Sequence, residues 1–255
     1  MTHLLILCEG HVEKRVLKEF LRVYWSQRFK TVEVQNYSGN KELSKNFKAD
    51  AEQQLTQELT SSVLCLVDLY EEPFGLYQSD ISLEENFQRV QERMYRQIDF
   101  RLQSRFGAFP VVMEIETWLL ADPEIQKHLN QSINFPEAIE HPARRLEEIY
   151  EARNSKYGKV ADGLSLFQRA SAKRVFDDNC SHFKQLIAWL THPPKKKKQK
   201  ISHKLEIWES ERNQKYAHCL ALEEAVQTDA DLDAAIASWD AYNAFLQTYE
   251  PLFKR

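Results

Sequence analysis

Glycine is scarce in this chain, with six residues in 255. None of the six forms a G-x-G-x-x-G or Walker pattern, so the backbone loop that usually cradles a nucleotide's phosphates is missing. That weighs against a nucleotide- or small-molecule-binding α/β domain. Cysteine is also sparse. Cys8, Cys65, Cys180 and Cys219 show no paired spacing, which implies neither a zinc site nor a disulfide frame. They read as reduced, mostly structural thiols of a cytoplasmic protein. No apolar run approaches the length of a membrane span, and residues 4–7 behind Thr2-His3 are too few for the apolar core of a signal peptide. No membrane partner is therefore expected. Basic charge is not in excess either: the net charge is −4, so any contact with nucleic acid must come from a local patch.

What is present suffices for a core. Hydrophobic residues make up 43 % and aromatics 11 %, beside an ordinary 28 % of charged residues. The length suits one domain, or one domain with a smaller appendage.

Apolar patterning predicts strands at 3–8, 31–37 ("TVEVQNY"), 62–68 ("SVLCLVD") and 109–116 ("FPVVMEIE"). Helical patterns lie between them at 11–29, 41–60 and 83–106, the first with Val12, Val16, Phe20 and Val23 near one face. Strands alternating with helices of this length predict an α/β fold with a mainly parallel four-stranded sheet. The nearly continuous apolar run before Asp68 suits a strand covered on both faces.

After residue 116 the chain turns mostly helical. Asp122-Pro123 marks a break and a new helix start, and further helices are expected at 143–153 and 171–191, separated by "NSKYGKVADGLS". "THPPKKKKQK" reads as a linker, since no helix interior tolerates the proline pair. Its lysines suit either a solvated linker or a phosphate-binding patch. Two helices are expected beyond it, at 201–227 and 229–249, the second with an aromatic stripe that includes Trp239, Tyr242 and Phe245. The expected organisation is an α/β domain over 1–130, a helical extension over 131–191, a lysine-rich linker over 192–200 and a C-terminal helical pair over 201–255.

The chemistry is carried by acids at strand ends. Ligands of parallel sheets gather outside the carboxyl ends of the strands, and Glu9 and Asp68 each close an apolar run there. Glu13 lies one helical turn beyond Glu9 and can face the same cleft. Glu114 and Glu116 fall at the end of the fourth expected strand, and would point the same way if the strand reaches 116. Glu116 has apolar neighbours on both sides, and a buried carboxylate needs a metal, a base or several hydrogen bonds. Hard oxygens of this kind suit Mg2+ or Mn2+.

The segment "CEGHVEKRVLKEFL" resembles the entry motif of Toprim-fold proteins, in which a Glu-Gly pair follows strand one and an acid follows strand three. With "LCLVDLYEEPFG", "EIETWLLADPE", "HPARRLEEIY", "KYGKVADG" and "CSHFKQLIAWL", residues 3–191 are similar to the Toprim-like bacterial family called domain of unknown function 4276. The resemblance implies a magnesium-dependent nuclease related to those of overcoming-lysogenization-type ATPase systems. It further implies DNA or RNA as substrate, an ATPase partner, a role in bacterial defence and possible homo-oligomers. The resemblance assigns metal binding to Glu9, Asp68 and Glu13; together with the strand-end reading, Glu9, Asp68 and Glu116 are expected to be catalytic, and Glu9, Glu13, Asp68, Glu114 and Glu116 to hold metal. Lys156, Lys159, Arg144 and Arg145 are candidates to offset the charge of the phosphate. The chain departs from the Toprim pattern after strand three, reading Asp68-Leu69-Tyr70 in place of Asp-x-Asp. Glu71, Glu72 or Glu116 would have to supply the missing oxygen. The runner-up is a non-catalytic subunit that binds nucleic acid or a partner ATPase. It predicts carboxylates that splay apart or are tied up by Lys and Arg.

Overall fold

The two apolar runs that end in acids form the central strands of a four-stranded, all-parallel sheet with order β2-β1-β3-β4. The computed structural model describes residues 2–70, 72–178, 180–192, 212, 214–215, 217–219, 221 and 229–249. The strands are β1 (His3–Cys8), β2 (Thr31–Asn36), β3 (Ser61–Asp68) and β4 (Phe106–Val111). β1 and β3 are buried almost throughout, while β2 alternates exposed and buried residues, as a strand on the rim does.

Between the strands lie α1 (His11–Phe20), α2 (Arg22–Trp25), α3 (Asn40–Gln57) and α4 (Leu83–Gln97). The first expected helix therefore breaks at Leu21, and Val23 beyond the break is exposed. The chain leaves β1 for β2 on one side, then returns to place β3 on the other. This reversal puts the topological switch point between β1 and β3, where open parallel sheets bind ligands.

β4 is the second rim strand and is closely covered. A Cβ added to Gly107 would lie 2.7 Å from the Trp189 ring, so only glycine admits that approach. Pro110 removes one outward N–H, and Gln91 Nε2 donates to the Ala108 carbonyl at 2.8 Å.

The helices that follow are α5 (Glu116–Ala121), α6 (Pro123–His128), α7 (Pro142–Glu151), α8 (Ala161–Arg169), α9 (Ala172–Asp177) and α10 (Ser181–Thr191). They share the core of the sheet, with Leu146, Leu166, Phe183 and Leu190 all buried in it. Two buried ionic clamps fix them. Asp122 caps α6 by accepting from the N–H groups of Glu124 (2.9 Å) and Ile125 (3.4 Å). It also accepts from Ser171 N–H at 2.7 Å and Arg174 Nε at 2.8 Å. His182 lies between Glu137 (3.2 Å) and Glu84 (3.1 Å). Burial opposes protonation of His182, but these carboxylates outweigh it and raise its pKa above the ordinary histidine value.

The chain divides into two units, residues 1–194 and 195–255. The second contains α11 (Asp229–Tyr249), where Trp239 packs edge-on against Tyr242 with ring centroids 5.8 Å apart. Cys219 Sγ lies 3.2 Å from Ser238 Oγ, and Lys215 Nζ sits 5.3 Å from the Phe245 ring centre. The lysine run and most of the expected helix 201–227 lie outside the described residues. No helix among the described residues is long and apolar enough to cross a membrane.

Candidate acid site at the switch point

Glu9 follows β1 and Asp68 ends β3, so the two flank the switch point. Glu9 Oε1 accepts a hydrogen bond from the backbone N–H of Asp68 at 3.1 Å, which ties the two strand ends together. Glu13 joins them from the first turn of α1. Its carboxylate folds back over Gly10, where an added Cβ would lie 2.3 Å from Glu13 Oε2. Glycine at position 10 is what makes room for this carboxylate. Cys8, Glu9, Glu13, Asp68, Ile115 and Trp118 help to enclose a void of about 10 Å³, roughly the room one water-sized occupant needs.

Glu114 and Glu116 reach the site differently from the sequence expectation. β4 ends at Val111, five residues before Glu116, so the two acids do not share a strand face. Instead the chain turns at Met113, which is buried and held at a left-handed φ of 60°. A non-glycine residue there stores strain, and such outliers gather at functional sites. Thr117 Oγ1 closes the turn on the Val112 carbonyl at 2.8 Å. Glu116 thus opens α5, and Glu114 sits in the turn with Oε2 accepting from the Ala143 N–H at 2.9 Å.

Lys159 is the cation of the site. Its Nζ is 3.5 Å from Glu114 Oε1 and 3.5 Å from Glu116 Oε1. The other oxygen of Glu116, Oε2, is buried with no hydrogen-bond partner, on a residue only 1 % exposed. Burial raises the Glu116 pKa, Lys159 opposes that and Glu114 adds to it, leaving a value of about 7. Asp68 is pushed well above the usual carboxylate range by burial, then by Glu9, Glu13 and Glu116, with Lys159 pulling the other way. These mutual effects show that Glu9, Glu13, Asp68, Glu116 and Lys159 form one electrostatic cluster. Cys8 stays a thiol, its pKa raised by burial and by Glu13 and Glu9.

The remaining expected residues lie elsewhere. Lys156 is exposed and makes no ion pair among the described residues. Arg144 and Arg145 pair with Glu148 at 3.8 and 3.1 Å, and Arg145 also reaches Gln131. Both lie on α7 directly after Ala143, whose N–H binds Glu114. Glu72 cannot replace the missing acid after β3, because it accepts from the N–H groups of Phe74, Leu76 and Tyr77 and so organises its own loop. Glu71 lies outside the described residues.

Sequence reasoning missed Tyr157, which sits between the two lysines it did weigh. Tyr157 is 5 % exposed, and its hydroxyl is buried without a partner. Burial and then Glu116 raise its pKa, which places the phenol within electrostatic reach of that carboxylate. An aromatic residue among lysines and glycines was the available signal.

The donor set has the chemistry of a hard divalent cation site, with several carboxylates and one orphaned buried oxygen. The side chains do not surround a single point: among the described residues, no three His, Cys, Asp or Glu groups stand as a ready ligand set. Lys159 supplies the positive charge that holds them.

Comparison with curated proteins and with solved structures gave no significant match. The family signature is different: it begins at the last residue of β1, runs through the acid site and the Asp122 clamp, and stops at the end of α10. Over residues 8–191 the chain matches the family described as Domain of unknown function (DUF4276), and it belongs to that family.

Proposed function

We propose that the acid site binds Mg2+ or Mn2+ and hydrolyses phosphodiester bonds of nucleic acid. The observation that carries this reading is the buried, unpartnered Oε2 of Glu116, a carboxylate in electrostatic reach of Asp68 near the switch point. An unsatisfied carboxylate oxygen in the interior is costly unless a ligand completes it. Glu9, Glu13, Asp68 and Glu116 would hold the ion. When bound, a divalent cation polarises a phosphoryl oxygen and lowers the pKa of water.

The chain's own groups do the rest. Lys159, half-exposed beside Glu114 and Glu116, would offset the charge of the phosphate. Tyr157 keeps a buried hydroxyl without a partner, a donor available to a ligand. With Glu116 committed to the ion, the proton of the attacking water passes to solvent. Hydrolysis then forms one P–O bond from water and breaks the bond to the leaving sugar oxygen.

A second reading, a non-catalytic subunit that binds nucleic acid or a partner ATPase, is favoured by the Lys159 bridge, which already ties up Glu114 and Glu116. Cleavage of mixed DNA and RNA substrates with Mg2+ or Mn2+ separates the two. We expect metal-dependent cleavage by the wild type, abolished in Glu9→Ala and Asp68→Ala variants that melt as folded proteins. A folded wild type that neither cleaves nor shifts its melting temperature with either ion would overturn the hydrolase reading and favour the second.

A further inference from the structure

The acid site stands at the start of α5, and a cationic cleft stands just past its end. This cleft, of about 530 Å³, is lined by Glu124, Lys127, His128, Arg169 and Arg174. Three elements build it: α6 contributes the first three residues, the end of α8 gives Arg169, and α9 gives Arg174.

Arg174 is the cation held in place. Arg174 Nε binds the buried Asp122 at 2.8 Å, and its Nη2 donates to the Arg169 carbonyl at 2.7 Å. Arg169 Nη1 lies 3.5 Å from His128 Nδ1, and Arg153 Nη2 donates to the His128 carbonyl at 3.2 Å from the rim. Asp122 compensates Arg174, and Glu124 is the one carboxylate among the lining residues. Lys127 and Arg169 are exposed and, among the described residues, neither has an ion-pair partner. Gathering such side chains around one cleft costs repulsion that an anion relieves.

We infer that this cleft is a subsite for the phosphate backbone of a single-stranded polynucleotide, with Lys127 and Arg169 as its principal contacts. The inference rests on the phosphodiester reading for its substrate class, but the cleft is separate from the acid site. The six residues of α5 span about 9 Å at roughly 1.5 Å per residue. All six are buried, so a ligand that reaches both ends runs over the surface around α5, which a chain of repeated phosphates can do and a single phosphate cannot. Arginine and lysine together suit this task, the first as a planar fork and the second as a mobile point charge.

Binding is measured in EDTA, so that cleavage plays no part, by anisotropy of a labelled single-stranded oligonucleotide with the full chain at several salt concentrations. The Lys127→Ala/Arg169→Ala pair is compared with Lys45→Ala/Lys48→Ala, which removes equal charge from the exposed face of α3. The cleft pair is expected to weaken binding at least ~10-fold and to lower the salt slope by about 1.4, for two lost contacts at about 0.7 each. The α3 pair should leave both nearly unchanged. Equal effects from the two pairs, no effect from the cleft pair, or no binding by the wild type would each overturn the subsite. Cleft-dependent binding by a wild type that never cleaves with Mg2+ or Mn2+ would sink the hydrolase reading and leave the subsite standing.

Discussion

Two buried carboxylates stand at either end of α5, and they have opposite fates. Asp122, fully buried, accepts from three backbone N–H groups and from Arg174. Glu116, equally buried, shares one oxygen with Lys159 at 3.5 Å and leaves the other without a partner. The same interior that completes one acid leaves the other incomplete. Burial alone therefore does not mark a functional residue. What marks it is burial with an unmet demand for hydrogen bonds or charge. By that contrast Asp122 is a fastener, and Glu116 is a buried acid left open to a ligand.

The sharpest way to break the comparison is Asp122→Ala. It removes the α6 cap and strands Arg174 beside the interior, so a loss of about 3–5 kcal/mol is expected by denaturant unfolding. A loss below about 1 kcal/mol would mean that Asp122 is as poorly used as Glu116.

Glu116→Gln should act in the opposite direction. The pKa of Glu116 is raised in the folded state to about 7, from an ordinary 4.5. The folded protein therefore holds this proton more tightly than the unfolded chain. Its stabilising effect is full below about pH 4.5 and is lost as pH rises through 7. The gap corresponds to about 3 kcal/mol. The variant should thus be more stable than wild type at pH 8 without metal, by up to that amount, with the gain fading towards pH 5. Equal melting temperatures at both pH values would show that the carboxylate is satisfied after all.

The smallest effect is expected from Gly10→Ala. The added methyl pushes the mobile end of Glu13 aside without touching the core, so stability should change by less than about 1 kcal/mol. Mn2+ affinity, read by calorimetry, should nonetheless fall several-fold. Unchanged affinity would remove Glu13 from the ligand set.

How legible the site was depends on what punctuates each strand. Glu9 and Asp68 could be found because each ends an unbroken apolar run, and the sheet does place them at the switch point. The fourth strand misled at both ends. The patterning predicts a helix that closes at Phe106 and a strand that begins only at Phe109, yet β4 starts at Phe106, with Gly107 admitting Trp189. Beyond Val111, "VMEIE" alternates like a strand, and the turn at Met113 carries no glycine or asparagine to announce its positive φ. Helix α8 was hidden in a stretch whose lysines and glycines read as a loop. The Asp122-Pro123 cap followed from local chemistry alone, whereas its partner Arg174 is 52 residues away in sequence and no local pattern could name it.

The seal on β4 bears on how copies of this protein could assemble. A rim strand with free outward N–H and C=O groups invites another chain to add a strand, which is a common route to sheet-to-sheet dimers and to aggregation. Here Pro110 offers no donor and the Ala108 acceptor is taken by Gln91. The sheet is closed to growth on that side, so a homo-oligomer built by strand addition would have to form along β2.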